Sequence, residues 1–378
     1  MAEYYIGLIS GTSMDGIDAV LCDFERRPPA ILAACNFPFD PEQRALLDRV
    51  RAHADGFPAA DLARLDALLG EAFAAAALAV LGQSGLDAAQ IRAIGSHGQT
   101  VLHRPEASPP GTLQIGDPNR IAALTGMTTV ADFRRADLAA GGQGAPLAPL
   151  IHHALLASHE ENRVVVNLGG IANITVLPAR GGVNGFDTGP ANCFLDLWYR
   201  RHHEDRFDRA GAWAAAGQAD PDWLGELLAD PYFQLPPPKS TGIEYFSPAW
   251  LDRRLPDWAE QRAADIQASL LAFSAHSIAQ AVQGLAAEDR PKRVIACGGG
   301  AHNPVLLERL GVALGGLPLA STADFGLDPD YVEALLFAWM ARERLAGRAL
   351  PTPAITGAAR AVMAGAIFAP GPGRISGG

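Results

Sequence analysis

Three glycine-rich turns and a few carboxylates hold the chemistry that this chain can offer. The first turn is Gly11-Thr12-Ser13-Met14-Asp15-Gly16-Ile17-Asp18, set between two apolar runs, and it reads as strand, tight turn, strand. Backbone N–H groups and the Thr12 and Ser13 hydroxyls in such a turn can face a phosphate. Asp15 and Asp18 beside it can position Mg²⁺ or its waters. Gly169-Gly170 follows the apolar run 163–168, with Asn173 just beyond, and Gly298-Gly299-Gly300 follows 293–296. Each turn sits at the carboxyl end of a predicted strand, where open α/β sheets bind ligands. Glycine there lets backbone approach a ligand closely. Together the three suggest a cradle for phosphate and nucleoside. A polar-tipped hairpin explains the first turn equally well, and plain α/β connections would explain all three. Asp187, in Asp187-Thr188-Gly189-Pro190, reads either as a functional carboxylate or as the cap of a turn.

Around these turns the apolar pattern predicts strands at 3–10, 17–24 and 30–37, then an alanine- and leucine-rich helix at 61–82. A strand at 91–95 leads into Ser96-His97-Gly98-Gln99-Thr100. Strands at 112–115 and 128–131 bracket a helix opening at Asp117-Pro118, where Asp caps and Pro fits the first turn. The pattern then restarts, with strands at 163–168, 171–177 and 182–186. Strand, glycine turn, strand, strand thus occurs twice, which predicts two related α/β halves with a cleft between them. A long helix follows, with Ile266, Leu270, Phe273, Ile278, Val282 and Leu285 near one face. Asn303-Pro304 starts another helix. A last one is predicted from Asp328-Pro329, with Val332, Leu335, Leu336, Trp339 and Met340 as its core stripe.

Length and composition limit the partners. The chain has 378 residues, 49% hydrophobic and 19% charged, and a net charge of −11. Two domains with substantial cores are expected. The acidic balance argues against a dedicated nucleic-acid binder. Lys239 and Lys292 are the only lysines, and neither closes a Gly-x4-Gly-Lys-Ser/Thr loop. Cys22, Cys35, Cys193 and Cys297 show no zinc-ligand spacing and read as small buried thiols of a reducing cytoplasm. His152-His153 and His202-His203 read as surface or packing pairs. No signal peptide opens the chain, and the longest apolar stretch, 72–81, is too short to span a bilayer. A cytoplasmic protein is expected.

The ordered strings go further than any single turn. Gly11 to Asp18, Gly95-Ser96-His97-Gly98-Gln99-Thr100, Val130-Ala131-Asp132-Phe133-Arg134, Asn167-Leu168-Gly169-Gly170-Ile171-Ala172-Asn173, Gly185-Phe186-Asp187-Thr188-Gly189-Pro190 and Lys239-Ser240-Thr241-Gly242 together resemble the anhydro-N-acetylmuramic acid kinases, over about residues 5 to 345. The resemblance implies a two-lobed, duplicated α/β fold of the sugar kinase, Hsp70 and actin superfamily. It implies one lobe of residues 1–135 joined by 365–378, and a second of 136–364. It also implies ATP and Mg²⁺ as cofactors, a homodimer, and a place in cell-wall recycling. Such kinases phosphorylate 1,6-anhydro-N-acetylmuramic acid while opening its anhydro bridge with water, giving N-acetylmuramic acid 6-phosphate. Two departures stand out. Gly7 or Leu8 falls where many superfamily members carry a first Asp, and Ile243 stands where the family usually has Arg.

On that resemblance Asp187 is expected to be the general base. The acceptor O6 is tied in the anhydro ring and has no proton, so a base must activate water for attack at C1. ATP is expected against Gly11 to Asp18, Gly169, Gly170, Asn173, Gly298 to Gly300 and Asn303. Arg134 is expected to pair with the lactyl carboxylate of the sugar, with Arg120 a weaker candidate and Asp132 beside it. Glu333 is expected to bond a sugar hydroxyl or the attacking water; a solvated helix-start glutamate is the other reading. His97 bonds the sugar or is a satisfied buried histidine. Lys239 approaches ligand or stays in solvent. Two other functions fit the same motifs less closely: a kinase of an ordinary sugar without ring opening, and a non-catalytic nucleotide or sugar sensor.

Overall fold

Alternating and β-branched apolar runs build two sheets on one plan. The computed structural model describes residues 3–11, 14, 16–52, 56–237, 239–254 and 261–371. Its strands are β1 (Tyr4–Ser10), β2 (Gly16–Asp23), β3 (Ala30–Pro38), β4 (Ile91–Arg104), β5 (Gly111–Ile115), β6 (Thr129–Ala131), β7 (Arg163–Leu168), β8 (Ile171–Leu177), β9 (Asn184–Pro190), β10 (Arg293–Cys297), β11 (Leu319–Ser321) and β12 (Ala366–Phe368). The first sheet runs β12-β6-β4-β1-β2-β3, with β5 beside β4, and the second runs β11-β10-β7-β8-β9. In each, three consecutive strands form an antiparallel meander. In each, the first of the three pairs in parallel with a later strand, β4 or β10, which pairs in parallel with the next, β6 or β11. The duplicated α/β expectation is borne out at the level of strand order.

The chain divides into two compact units, Met1–Ile151 with Gly326–Gly378, and His152–Phe325. The boundaries expected from the sequence, 135/136 and 364/365, differ from these. The reason is close packing. A Cβ on Gly7 of β1 would overlap the Ala334 carbonyl, and one on Gly95 of β4 would overlap that of Phe337. Only glycine lets the helix Val332–Leu345 lie on this sheet. That helix, and Glu333 with it, therefore belongs to the first unit.

The other face of the first sheet is covered by the helix Ala59–Ser84. Leu65, Leu69, Phe73, Ala76, Ala77 and Val80 are fully buried there against Ile6, Leu8, Ile17 and Leu21. Each large side chain so buried contributes about 1.5–3 kcal/mol. By length and composition alone this helix is apolar enough to cross a membrane, but most of its large apolar side chains pack in the core. In the second unit the helix Ala263–Gln283 buries Ile266, Leu270, Phe273, Ile278 and Val282 as the sequence predicts.

Two local expectations need correction. The last long helix begins at Val332, not at Asp328, because Asp328 accepts from the N–H groups of Asp330 and Tyr331 in a turn of its own. Trp339 is half-buried, not a core residue, while Met340 is buried.

Candidate active site

Adjacent strands of the second sheet bring a polar row together at one end. Cys297 of β10 pairs with Asn167 of β7, Asn167 with Asn173 of β8, and Asn173 with Asp187 of β9. Asn167, Asn173 and Asp187 are half-buried, whereas Val165, Val166 and Ile174 nearby are buried. The sequence pattern ends β9 before Asp187 and puts Asp-Thr-Gly-Pro in a turn. The strand instead runs on to Pro190 because β8 continues to pair with it.

Asp187 is gripped on three sides. Its N–H donates to the Lys239 carbonyl at 3.1 Å, the Tyr232 hydroxyl donates to its carbonyl at 2.6 Å, and the Thr241 N–H donates to its Oδ2 at 3.0 Å. Burial pushes its carboxyl up to about 6, the Thr241 N–H opposes this, and the charge of Glu244 adds to it. A carboxyl poised near neutrality and held by backbone can take a proton from water. Lys239 is spent locally: its Nζ donates to the Tyr232 carbonyl at 3.0 Å and lies 4.6 Å from that ring's centroid. Desolvation lowers its pKa.

The two later glycine turns lie side by side, because β7 and β10 are parallel neighbours. Their glycines do different work. Gly298 has φ 78° and ψ 173°, and a Cβ on it would run into Asn167 Oδ1. A Cβ on Gly300 would press on Leu168. These two are demanded by packing. A Cβ on Gly170 would meet only Cys193 Cβ, at 3.9 Å, and one on Gly299 would meet nothing within 4 Å. These two leave backbone open to a ligand. Asn192 at the start of the helix Asn192–His202 donates from Nδ2 to the carbonyls of Leu168 and Gly169. Asn303 Oδ1 accepts from the Leu306 N–H and so caps the helix Pro304–Ala313.

In the first unit Arg134, His97 and Glu333 form one cluster. His97 Nδ1 lies 3.1 Å from the Gly98 carbonyl, and Arg134 Nε donates to His97 Nε2 at 3.0 Å. These partners assign the ring proton to Nδ1. Burial, and then Arg134, hold His97 well below its usual pKa, so it is neutral. The ring packs on Phe337 at 4.6 Å. Arg134 Nη1 also donates to the Gly144 carbonyl at 2.7 Å. Desolvation brings its pKa down to about 10, against the charges of Glu333 and Asp137. Glu333 is exposed at the start of its helix, yet desolvation pushes its carboxyl up, with Arg134 opposing and Asp18 reinforcing.

The remaining candidates are scattered. Asp132 has φ 60° and lies 3.4 Å from Arg135 at the surface. It lines a cavity of about 480 Å³ that includes Asp66, Ser96, His97, Asp117 and Asn119. Arg120 does not join Arg134; it is exposed and donates to Glu71 at 2.7 Å. Asp18 Oδ1 accepts from Asn36 Nδ2 at 2.8 Å. Met14 is buried, and its carbonyl accepts from Arg44 Nη1 at 2.6 Å. Gly16 and Ile17 begin β2 and are buried. Thr12, Ser13 and Asp15 lie outside the described residues. Of the two histidine pairs, His152 is buried and burial brings it down to about 4, while His202 and His203 are exposed.

A family model described as anhydro-N-acetylmuramic acid kinase matches residues 3–370. The chain belongs to the anhydro-N-acetylmuramic acid kinase family. An anhydro-N-acetylmuramic acid kinase from Xanthomonas axonopodis pv. citri (strain 306) is 52% identical over 96% of this chain and 97% of its own length. One from Xylella fastidiosa (strain Temecula1 / ATCC 700964) is 48% identical over 97% and 96%. Among solved structures, an activator of 2-hydroxyisocaproyl-CoA dehydratase from Clostridium difficile with bound ADPNP covers 91% of this chain and 96% of its own, at 12% identity and a TM-score of 0.48. In this member of the kinase family Ile243 is exposed on the loop that grips Asp187. The sequence pattern does not single out Asn167, Tyr232 or Thr241. Asn167 and Thr241 lie in family-like motifs, which is the local signal they carry; nothing local marks Tyr232.

Proposed function

We propose that this chain is an ATP-dependent kinase that opens the anhydro ring of 1,6-anhydro-N-acetylmuramic acid with water and phosphorylates O6. The products are N-acetylmuramic acid 6-phosphate and ADP. The observation that carries this reading is the Asp187 carboxyl, raised to about 6 and held by the Thr241 N–H in a chain of this family. Asp187 takes a proton from water as the water oxygen bonds to C1. The C1–O6 bond breaks, its electrons stay on O6, and O6 attacks the γ-phosphorus as the bond to the β-phosphate oxygen breaks. Tyr232 and the Lys239 carbonyl fix the backbone of Asp187, so the carboxyl meets the water without reorganising.

The glycine turns fit ATP: Gly170 and Gly299 leave space where a side chain would stand. The turn of Gly11 to Asp18 is assigned to the same ligand. For Mg²⁺, no group of three or more His, Cys, Asp or Glu side chains suits a metal among the described residues. Mg²⁺ commonly keeps several waters and takes one or two carboxylates. Asp18, with Asp15, would hold it through such waters. The ion would neutralise charge on the transferring phosphate. Arg134 is assigned to the lactyl carboxylate, Glu333 and Asp132 to sugar hydroxyls, and His97 to orienting Arg134. Arg120, already paired with Glu71, takes no part. We place the protein in the cytoplasm as a homodimer.

The test is turnover of the anhydro sugar with Mg²⁺·ATP in ¹⁸O-water. Mass spectrometry should find one ¹⁸O at C1 and phosphate on O6. A product phosphorylated on a free hydroxyl, without ¹⁸O, would establish the ordinary sugar kinase instead.

A further inference from the structure

Asp230 is a buried charge that the mechanism above does not use. It is 2% exposed, in the second unit, just ahead of the short turn Pro231–Gln234. Four donors converge on it: the Tyr232 N–H at 2.8 Å, the Tyr245 hydroxyl at 2.8 Å, Trp250 Nε1 at 2.9 Å and Arg254 Nη2 at 2.5 Å. Burial alone would raise its pKa. The hydrogen bonds from Tyr232, Trp250 and Tyr245, with the charge of Arg254, outweigh burial and hold the carboxyl below its usual range. It is therefore an anion, and four donors repay its desolvation.

Two of those donors lead to Asp187. Along the first arm, Tyr232 gives its N–H to Asp230 and its hydroxyl to the Asp187 carbonyl, and it also receives Lys239 Nζ on its own carbonyl. Along the second arm, Tyr245 gives its hydroxyl to Asp230, and the N–H groups of Tyr245 and Phe246 close onto the Gly242 carbonyl. Between the arms lie the Lys239 carbonyl, which accepts the Asp187 N–H, and the Thr241 N–H, which holds Asp187 Oδ2. Both ends of the segment 239–246 thus return to one carboxylate.

We propose that Asp230 is a positioning residue for the reaction: through Tyr232 and Tyr245 it fixes the segment 239–246 and so holds the Asp187 carboxylate in place. This rests on Asp187 being the base. No sugar or nucleotide contact is assigned to Asp230. Its effect reaches the substrate only through the angle and the ionisation of Asp187. The groups that face Asp187 in this unit are the Tyr232 hydroxyl, Lys239, the Thr241 N–H and Glu244.

Three variants test this: Asp230→Asn, Tyr232→Phe and Tyr245→Phe. The two phenylalanine variants keep the rings and so keep the aromatic packing. Each should lower kcat about tenfold or more, with both KM values changing less than about threefold. Thr241 draws the Asp187 carboxyl down, so loosening the loop should move the acidic limb of kcat upward by at least about 0.5 pH unit. The same shift should be visible without turnover, by ¹³C NMR of aspartate-labelled protein, with the Asp187 resonance identified by its loss in Asp187→Asn. Unchanged Asp187 titration in all three variants, with only the melting temperature lowered, would overturn the proposal and leave Asp230 a structural tie. If the wild type did not turn over the anhydro sugar, the proposed function would fail, while the NMR titration would still decide the role of Asp230.

Discussion

The two units place an aspartate and an asparagine side by side on the same pair of strands, in opposite order. In the first unit Asp18 stands on the second strand, and Asn36 faces it from the third. In the second unit Asn173 stands on the second strand, and Asp187 faces it from the third. The exchange changes what each carboxylate can do. Asp18 receives the Asn36 side-chain amide at 2.8 Å. Asp187 receives one backbone N–H, from a loop outside the sheet, and burial lifts it to about 6. A duplicated frame thus holds one carboxylate by a side chain of the neighbouring strand and the other by a loop N–H. The difference lies in the partner, a side-chain amide for Asp18 and a loop N–H for Asp187, not in the strand order.

The largest effect that would break this contrast is Asp187→Asn. Turnover should fall by about 10³-fold, since a positioned base contributes about 10²–10⁴. Nucleotide affinity, read by equilibrium binding, should stay within about threefold. Wild-type kcat should rise with pH through about 6, as Asp187 loses its proton. Stability should move the other way. The folded-state pKa is raised, so the folded form gains most when Asp187 is protonated and loses that gain as pH rises through about 6. Asn carries no charge, and its amide can turn so that oxygen still meets the Thr241 N–H. Asp187→Asn should therefore melt higher than wild type at pH 8 and about equally at pH 4, by calorimetry. Near-normal turnover, or an acidic limb far from 6, would remove the proton-exchanging role from the second unit.

This contrast was only half legible in the sequence. Strands, glycine turns and the repeat were readable because apolar alternation and glycine placement are local signals. Asp187 was readable as a candidate, but as part of a turn; its place in β9 depends on pairing with β8, which no local signal records. The grip on it comes from residues 45 to 54 positions later in the chain, Tyr232 and Thr241. Glu333 falls in the first unit, not in the second lobe that the sequence bounds at 136–364, because the contact that recruits its helix, glycine against helix backbone at Gly7 and Gly95, leaves no apolar pattern. The sequence ranks Arg134 above Arg120 for one task without showing what either touches. Their burial separates them: one is exposed against Glu71, the other half-buried between His97 and the Gly144 carbonyl.

A second, smaller effect sharpens the comparison at the glycine turns. Gly298 combines φ 78° with ψ 173°, a region essentially closed to side chains, and a Cβ there would strike Asn167. Gly298→Ala should cost about 1–3 kcal/mol in stability and raise KM for ATP by about tenfold, because Asn167 and the turn must shift together. In the first unit a Cβ at Gly11 meets nothing within 4 Å among the described residues. Gly11→Ala should change stability by less than about 0.5 kcal/mol. Chemical denaturation of both variants reads the difference directly. Equal losses would mean that the two turns are built alike, against the packing described here.

The smallest effect expected is at Asp18, and it decides whether its carboxylate serves a cation. Asp18→Asn is nearly isosteric. The new amide can turn its oxygen toward Asn36 Nδ2 and keep the bond between β2 and β3, so folding should be little disturbed. What is lost is one negative charge. If Asp18 orients waters on Mg²⁺, the half-saturating Mg²⁺ concentration should rise about three- to tenfold, while kcat at saturating Mg²⁺ should stay within about threefold. A Mg²⁺ titration at fixed ATP measures both. An unmoved Mg²⁺ requirement would take the cation away from this strand. A fall in kcat as deep as that of Asp187→Asn would do more, because it would make the two carboxylates equivalent despite their different partners. The contrast stands only if the first unit's aspartate changes how much metal is needed and the second unit's changes whether the reaction proceeds.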